Sequence, residues 1–234
     1  MTLPKSRIPA TALVLAVTIG GGLLDTGRAH SAGRSALKGT LRFAAGALTH
    51  SHGAAVYTGT YFRMLYPGGK SSYFKNSSST AKDQTYTLLR PGTEGGLELG
   101  SYQPPPKTAF TSSGSALARA ITLPEGFASI KFSISTASKD AQTGKAVAAP
   151  TLYLSGGKLT GDLSAWTAEW NKIYFNQGSP KPGGTYPGST TPVTGTYDAK
   201  TKAFVITWYS LIVGGPFNGF TGFWHLQGKL RSGS

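Results

Sequence analysis

Short runs of aliphatic, β-branched and aromatic residues alternate along the chain with clusters of Gly, Pro, Ser and Asn. That pattern predicts strands joined by turns. The runs are Leu37 to Ala45, Ala54 to Tyr66, Gln84 to Arg90, Leu97 to Tyr102, Ala116 to Leu123, Ser129 to Thr136, Thr151 to Ser155, Val193 to Tyr197, Ala203 to Ile212 and Phe220 to Leu230. They suffice for two packed sheets, so the expected fold class is mainly β, an antiparallel β-sandwich or barrel.

The C-terminal runs carry the clearest period-two signal. Phe204, Ile206 and Trp208 fall on one face, and Val205, Thr207 and Tyr209 on the other. In the last run Trp224, Leu226 and Leu230 share a face, whereas Phe223, His225, Gln227, Lys229 and Arg231 share its opposite, which predicts one buried face and one wet face. Asn218-Gly219 lies between these runs and predicts a tight turn, because both residue types tolerate positive φ.

One segment departs from the β pattern. Asp162 is a helix-capping residue type, and Leu163, Trp166, Trp170 and Ile173 or Tyr174 follow at three- and four-residue spacing. The expectation is one short helix over about 162–175. Its Trp166 and Trp170 form an apolar stripe packed on a sheet or, if exposed, a pair of rings for stacking a ligand. Gly178 to Pro192, rich in Pro and Gly, predicts a long loop, and Gln103-Pro104-Pro105-Pro106 a rigid connector.

The N-terminus has a different grammar. Met1 to Arg7 carries Lys5 and Arg7, Ile8 to Leu24 is apolar, and Asp25 to Gly33 is polar with small residues. This is the layout of a secretory signal, so residues 1–32 are expected to be a signal peptide cut after Ser31 or Ala32, and 33–234 a single β-rich domain. The expected localisation is secreted, periplasmic or cell-surface. The chain has no cysteine, so the domain has no disulfide framework and no thiol chemistry.

Charge narrows the class of partner. The chain holds 23 Lys and Arg against 9 Asp and Glu; loss of Lys5, Arg7, Arg28 and Asp25 with the signal leaves a net charge of about +12. The basic residues are spread singly, as in Lys70, Lys82, Lys107, Lys131, Lys145, Lys158 and Lys181. A diffuse positive field suits an anionic polymer, a glycan or a membrane surface, and it lacks the basic arm of a sequence-specific nucleic-acid binder.

The segments Gly195 to Trp208 and Ile212 to Leu226, with Trp170-Asn171 and Phe175 to Pro182, give the last third of the chain a resemblance. It is similar to small secreted bacterial β-rich proteins of unknown function. The resemblance implies export and a β-rich fold, and it carries over no catalytic residue.

Candidate chemistry is sparse. After the signal there remain Asp83, Glu94, Glu98, Glu125, Asp140, Asp162, Glu169 and Asp198; several stand where turns and caps take Asp, and no acidic cluster suggests calcium or magnesium. His50-Ser51-His52 places two imidazoles on one face if extended, a half-site for copper, nickel or zinc. No Gly-x-Ser-x-Gly elbow is present, and no cofactor is called for. Tyr57, Tyr61 and Tyr66, with Trp166 and Trp170, are the candidate stacking residues for sugar rings or bases. The leading expectation is a non-catalytic protein that binds or coats an anionic or polymeric surface. An extracellular polymer hydrolase is the alternative, with Glu169, Glu98 and His225 as its participants, and a structural matrix protein is the third.

Overall fold

The computed structural model describes residues 33–68 and 72–232; the signal peptide expected over residues 1–32 and its expected cleavage point lie outside them. The first half supplies β1 (Ser35–Ala36), β2 (Gly39–Phe43), β3 (Ala47–Ser51), β4 (Ala54–Thr58), β5 (Tyr61–Leu65), β6 (Thr87–Leu88) and β7 (Gly96–Leu99). Next come β8 (Glu125–Phe127), β9 (Ile130–Thr136), β10 (Thr151–Ser155), β11 (Lys158–Asp162), β12 (Trp166–Trp170) and β13 (Ile173–Asn176). Last are β14 (Val193–Tyr197), β15 (Ala203–Leu211) and β16 (Thr221–Arg231). The fold is mainly β and antiparallel, as the alternation predicts.

The large sheet is curled and runs β1-β10-β11-β14-β15-β16-β2-β7, and β16 is its spine. One edge of β16 pairs with β15 over its length, from Thr221↔Leu211 to Lys229↔Ala203. The other edge is divided: Thr221 to His225 pair with β5, and Gly228 to Arg231 pair with β2. Gly228 permits this second pairing, because a Cβ there would collide with the Arg42 carbonyl on β2.

The smaller sheet, β13-β12-β9-β8, packs across the concave face of the large one. Phe132, Ile134, Trp166, Ala168, Trp170 and Phe175 face the large sheet's Phe43, Phe62, Phe204, Trp208 and Trp224. Trp166 stands edge-on to both Trp208, at 5.6 Å and 88°, and Trp224, at 5.4 Å and 79°. The sandwich is therefore keyed by three tryptophans from three strands. The outer face of the small sheet is covered in turn by the irregular 103–123 segment, whose Ala118 carbonyl accepts from Ser133 Oγ and whose Gln103 pairs with Thr136. The strand expected at Ala116 to Leu123 is part of this cover.

The helix expected over 162–175 is not formed. That stretch is the end of β11, a turn, and the β12–β13 hairpin, closed by Asn171 at φ 50° and Lys172 at φ 61°. Two successive residues at positive φ make a type I′ turn, whose twist matches the strands it joins. Asp162 does cap, but it caps a turn: its Oδ1 accepts from the Ser164 amide at 2.8 Å. Trp166 and Trp170 misled the periodicity because a separation of four places two side chains on one face in a helix and in a strand alike.

Asn218-Gly219 forms a tight turn of another kind than a two-residue hairpin loop. Asn218 lies at φ −54°, ψ 130° and Gly219 at φ 83°, with the Phe220 amide bonded to the Phe217 carbonyl at 3.0 Å, a type II turn inside a longer 212–220 connection. Trp208 and Trp224 point into the core, as their phases predict.

Candidate functional site

On the convex face of the large sheet, antiparallel alternation ordinarily places polar residues. Here the outward positions of β15, β16 and β5 include Tyr209, Phe223, His225, Tyr61 and Arg63, all half-buried. Register brings them together, since Tyr209 pairs with Phe223, Phe223 with Arg63, and His225 with Tyr61. The Tyr61 ring stacks on the His225 imidazole at 4.4 Å and 6°, and Phe223 lies against Tyr209 at 4.8 Å.

A second group joins from the chain before and after β5. Tyr57 on β4 stacks on Tyr86 at 3.9 Å and 16°, and Tyr61 meets the edge of Tyr86 at 5.1 Å. The Arg63 guanidinium lies 4.0 Å over the Tyr86 ring and 3.3 Å over Tyr73. Tyr57 and Arg63 cannot occupy the same face of Tyr86, so Tyr73, Arg63, Tyr86 and Tyr57 form one stacked column. Arg63 is fixed further by a 2.9 Å bond to Thr85 Oγ1. A locked guanidinium among rings is a preorganised cationic spot on an aromatic face.

Burial favours the neutral forms of Tyr61, Tyr209 and His225 beside Arg63. Burial, then Tyr86, pushes the Tyr61 phenol up to about 12. Tyr209 is also raised, by burial and then by its hydrogen bond with Tyr73. Burial lowers His225, whose Nδ1–H donates to the Gly59 carbonyl at 2.8 Å; a carbonyl only accepts, so Nε2 is the acceptor of the neutral ring. Rings and phenol hydroxyls beside a permanent cation suit the faces, hydroxyls and acidic groups of a saccharide polymer.

Of the residues singled out from the sequence, Tyr57 and Tyr61 meet in this cluster, and Tyr66 does not. Tyr66 packs with Phe74 and Phe220 beyond the end of β5. Trp166 and Trp170 are core residues, 0% and 8% exposed, so the stacking role is corrected: no ring face of either is open to a ligand. His50 and His52 sit at the tip of the exposed β3–β4 hairpin. His52 is in its turn at φ 50°, so the extended backbone that would align the two imidazoles is interrupted there. No group of three or more metal-ligating side chains occurs among the described residues.

Glu98, Glu169 and His225 are not brought together. Glu98, on edge strand β7, accepts from Thr40 Oγ1 at 2.6 Å; His225 is on the convex face; Glu169 is buried in the small sheet against Ser135 Oγ. Burial raises Glu169 to about 7, and its Oε2 has no hydrogen-bond partner among the described residues. Among the described residues, the apolar void between the sheets is about 40 Å³, against roughly 300 Å³ or more for ligand pockets.

Tyr86, Tyr209, Phe223 and Arg63 were missed as site residues, and Tyr73 was visible only as one of the dense tyrosines of the first half. The aromatic outward phase of β16 was the available signal, whereas Tyr73 and Tyr86 lie in irregular chain that no periodicity marks. Comparison of the chain with family models, curated proteins and solved structures finds no match.

Proposed function

We propose that this is an exported, non-catalytic protein that binds an anionic polysaccharide through the convex aromatic face, its net positive charge drawing the polymer in. The observation that carries the reading is the row Tyr209, Phe223, Tyr61 and His225, which sets rings where a wet sheet face ordinarily sets polar side chains. Arg63 adds a fixed charge beside them. Cleavage after Ser31 or Ala32 belongs to the same reading, with the exported chain beginning at Ala32 or Gly33, and N-terminal mass spectrometry of secreted protein tests that part.

Affinity electrophoresis through gels holding either a uronic-acid polymer or a neutral polysaccharide tests the binding. Retardation is expected in the anionic gel, to weaken as screening shortens to about 8 Å at physiological salt, and to fall by about thirty-fold or more in a Tyr209→Ala, Phe223→Ala double variant, given about 1 to 3 kcal/mol for each of the two stacked rings. Free migration of the native protein in both gels, or equal retardation of a folded double variant, overturns the reading.

A further inference from the structure

Away from the aromatic face, the segment after β13 carries a buried cation. Lys181 is 7% exposed, and its Nζ donates to the Asn176 carbonyl at 2.6 Å. An ammonium has three donors, so two remain. The nearby carboxylate does not use them: Asp140 Oδ2 accepts from the Thr143 amide and hydroxyl, each at 2.7 Å, and Oδ1 accepts from Asn176 Nδ2 at 2.8 Å.

Asn176 and Gln142 are spent as well. Asn176 Nδ2 also reaches the Ser164 carbonyl, its Oδ1 accepts from the Gly178 amide, and Gln142 bridges the Asn176 amide and the Val213 carbonyl. This network holds the amine rigidly, and the carboxylate near it, Asp140, spends its hydrogen bonds on other donors. A cleft of about 380 Å³ opens beside it, lined by Lys181, the exposed Lys145, Thr143, Gln142, Pro182 and Pro187 among others, with no carboxylate in its wall.

We propose that this cleft binds an oxyanion, a carboxylate or phosphate group, with Lys181 as the cation that recognises it and Lys145 as a second, exposed positive charge at its wall. The site does not depend on the aromatic face. Asp140 and Lys145 are the titratable groups that face Lys181 there. Burial brings the Lys181 ammonium down to about 7, with Asp140 holding it up in part, and a bound anion restores its charge.

The test is calorimetric titration of the whole protein with inorganic phosphate, with glucuronate and with glucose. Either anion is expected to bind and glucose is not; the tighter of the two names the source of the group. Glucuronate stays ionised throughout, so its affinity is expected to drop by up to about ten-fold per pH unit above 7 as Lys181 loses its proton. Lys181→Arg, always charged, is expected to flatten that profile. Lys181→Met is expected to lose about ten-fold or more, and Lys145→Gln a few-fold.

Unfolding midpoints identify any variant that fails to fold, and the arginine and Lys145 variants keep the proposal testable in that case. Inorganic phosphate offers no ring to stack on the aromatic face, so its binding reports the cleft alone, and failure of the cleft and failure of the aromatic face are read separately. Absence of binding by both anions, or a flat pH profile for the native protein, overturns the proposal.

Discussion

Trp208 and Trp224 are directly opposed on β15 and β16, with rings 15° from parallel and 6.0 Å apart, and both send their indole N–H groups to Gln177. Trp208 reaches its carbonyl at 2.8 Å and Trp224 its side-chain Oε1 at 3.3 Å. Gly222 makes the arrangement possible, because a Cβ there would collide with that amide oxygen. Gln177→Leu is therefore expected to strip one buried indole of its acceptor and to cost about 1 to 3 kcal/mol. Trp224→Ala is expected to cost about 3 to 5 kcal/mol. His225→Ala, which loses only a half-buried stack and one bond to Gly59, is expected to cost about 1 kcal/mol. Denaturant midpoints rank the three; a His225 variant as unstable as the Trp224 variant would place the wrong face inside.

The β12–β13 turn gives an opposite-sign test. Lys172 sits at φ 61°, a conformation that costs a side-chain-bearing residue about 1 to 2 kcal/mol. Lys172→Gly should relieve it and raise stability by about 1 kcal/mol in thermal or chemical unfolding. In a helix the same change would lower stability by about as much. A destabilised Lys172→Gly protein would return the segment to a helix.

This segment also shows where the sequence ceased to be legible. Strands such as β15 and β16 were readable because nine or more alternating positions outvote any other period. β12 and β13 are short, Trp166 and Trp170 satisfy both periods, and Ile173 joins them only by pairing with Trp170 across the turn, so pairing between strands decides. The Tyr57 and Tyr61 half of the candidate face was visible as dense tyrosine. Its other half, Tyr73 and Tyr86, is placed by the column around Arg63, a contact between residues ten or more positions apart. Nothing local marks Lys181 as buried either, since its network draws on Asp140 and Asn176 from other parts of the chain.

Arg63 should be irreplaceable by lysine. Its planar guanidinium fits between Tyr73 and Tyr86, and a lysine keeps the charge without the plane. Arg63→Lys is expected to cost about 1 to 2 kcal/mol and to loosen the 73–87 segment, which is otherwise held through Asn76 to Thr87 and the Gly126 carbonyl. Hydrogen exchange reads this directly: amides of Asn76 and Tyr86, bonded to Gln84 and Asp83, should exchange faster than those of β15. Unchanged exchange would show that the column merely rests on the sheet.

Stability should pass through a minimum near neutral pH. Glu169 is raised from 4.5 to about 7, chiefly by burial against the partial relief of Ser135, so between those values the unfolded chain ionises it while the folded protein keeps it neutral. Stability is then full below about 4.5 and falls by up to about 3 kcal/mol as pH climbs through 7. Lys181 has the opposite slope. Its folded value is lowered from 10.5 to about 7, so from pH 7 upward the unfolded chain holds a proton that the folded protein has released, and stability recovers toward 10.5. Glu169→Gln should abolish the falling limb and leave the rising one. Lys181→Met should do the reverse. Chemical unfolding from pH 4 to 10 measures both limbs, and a native profile that rises steadily from pH 5 to 7 would show that Glu169 is ionised in the fold after all.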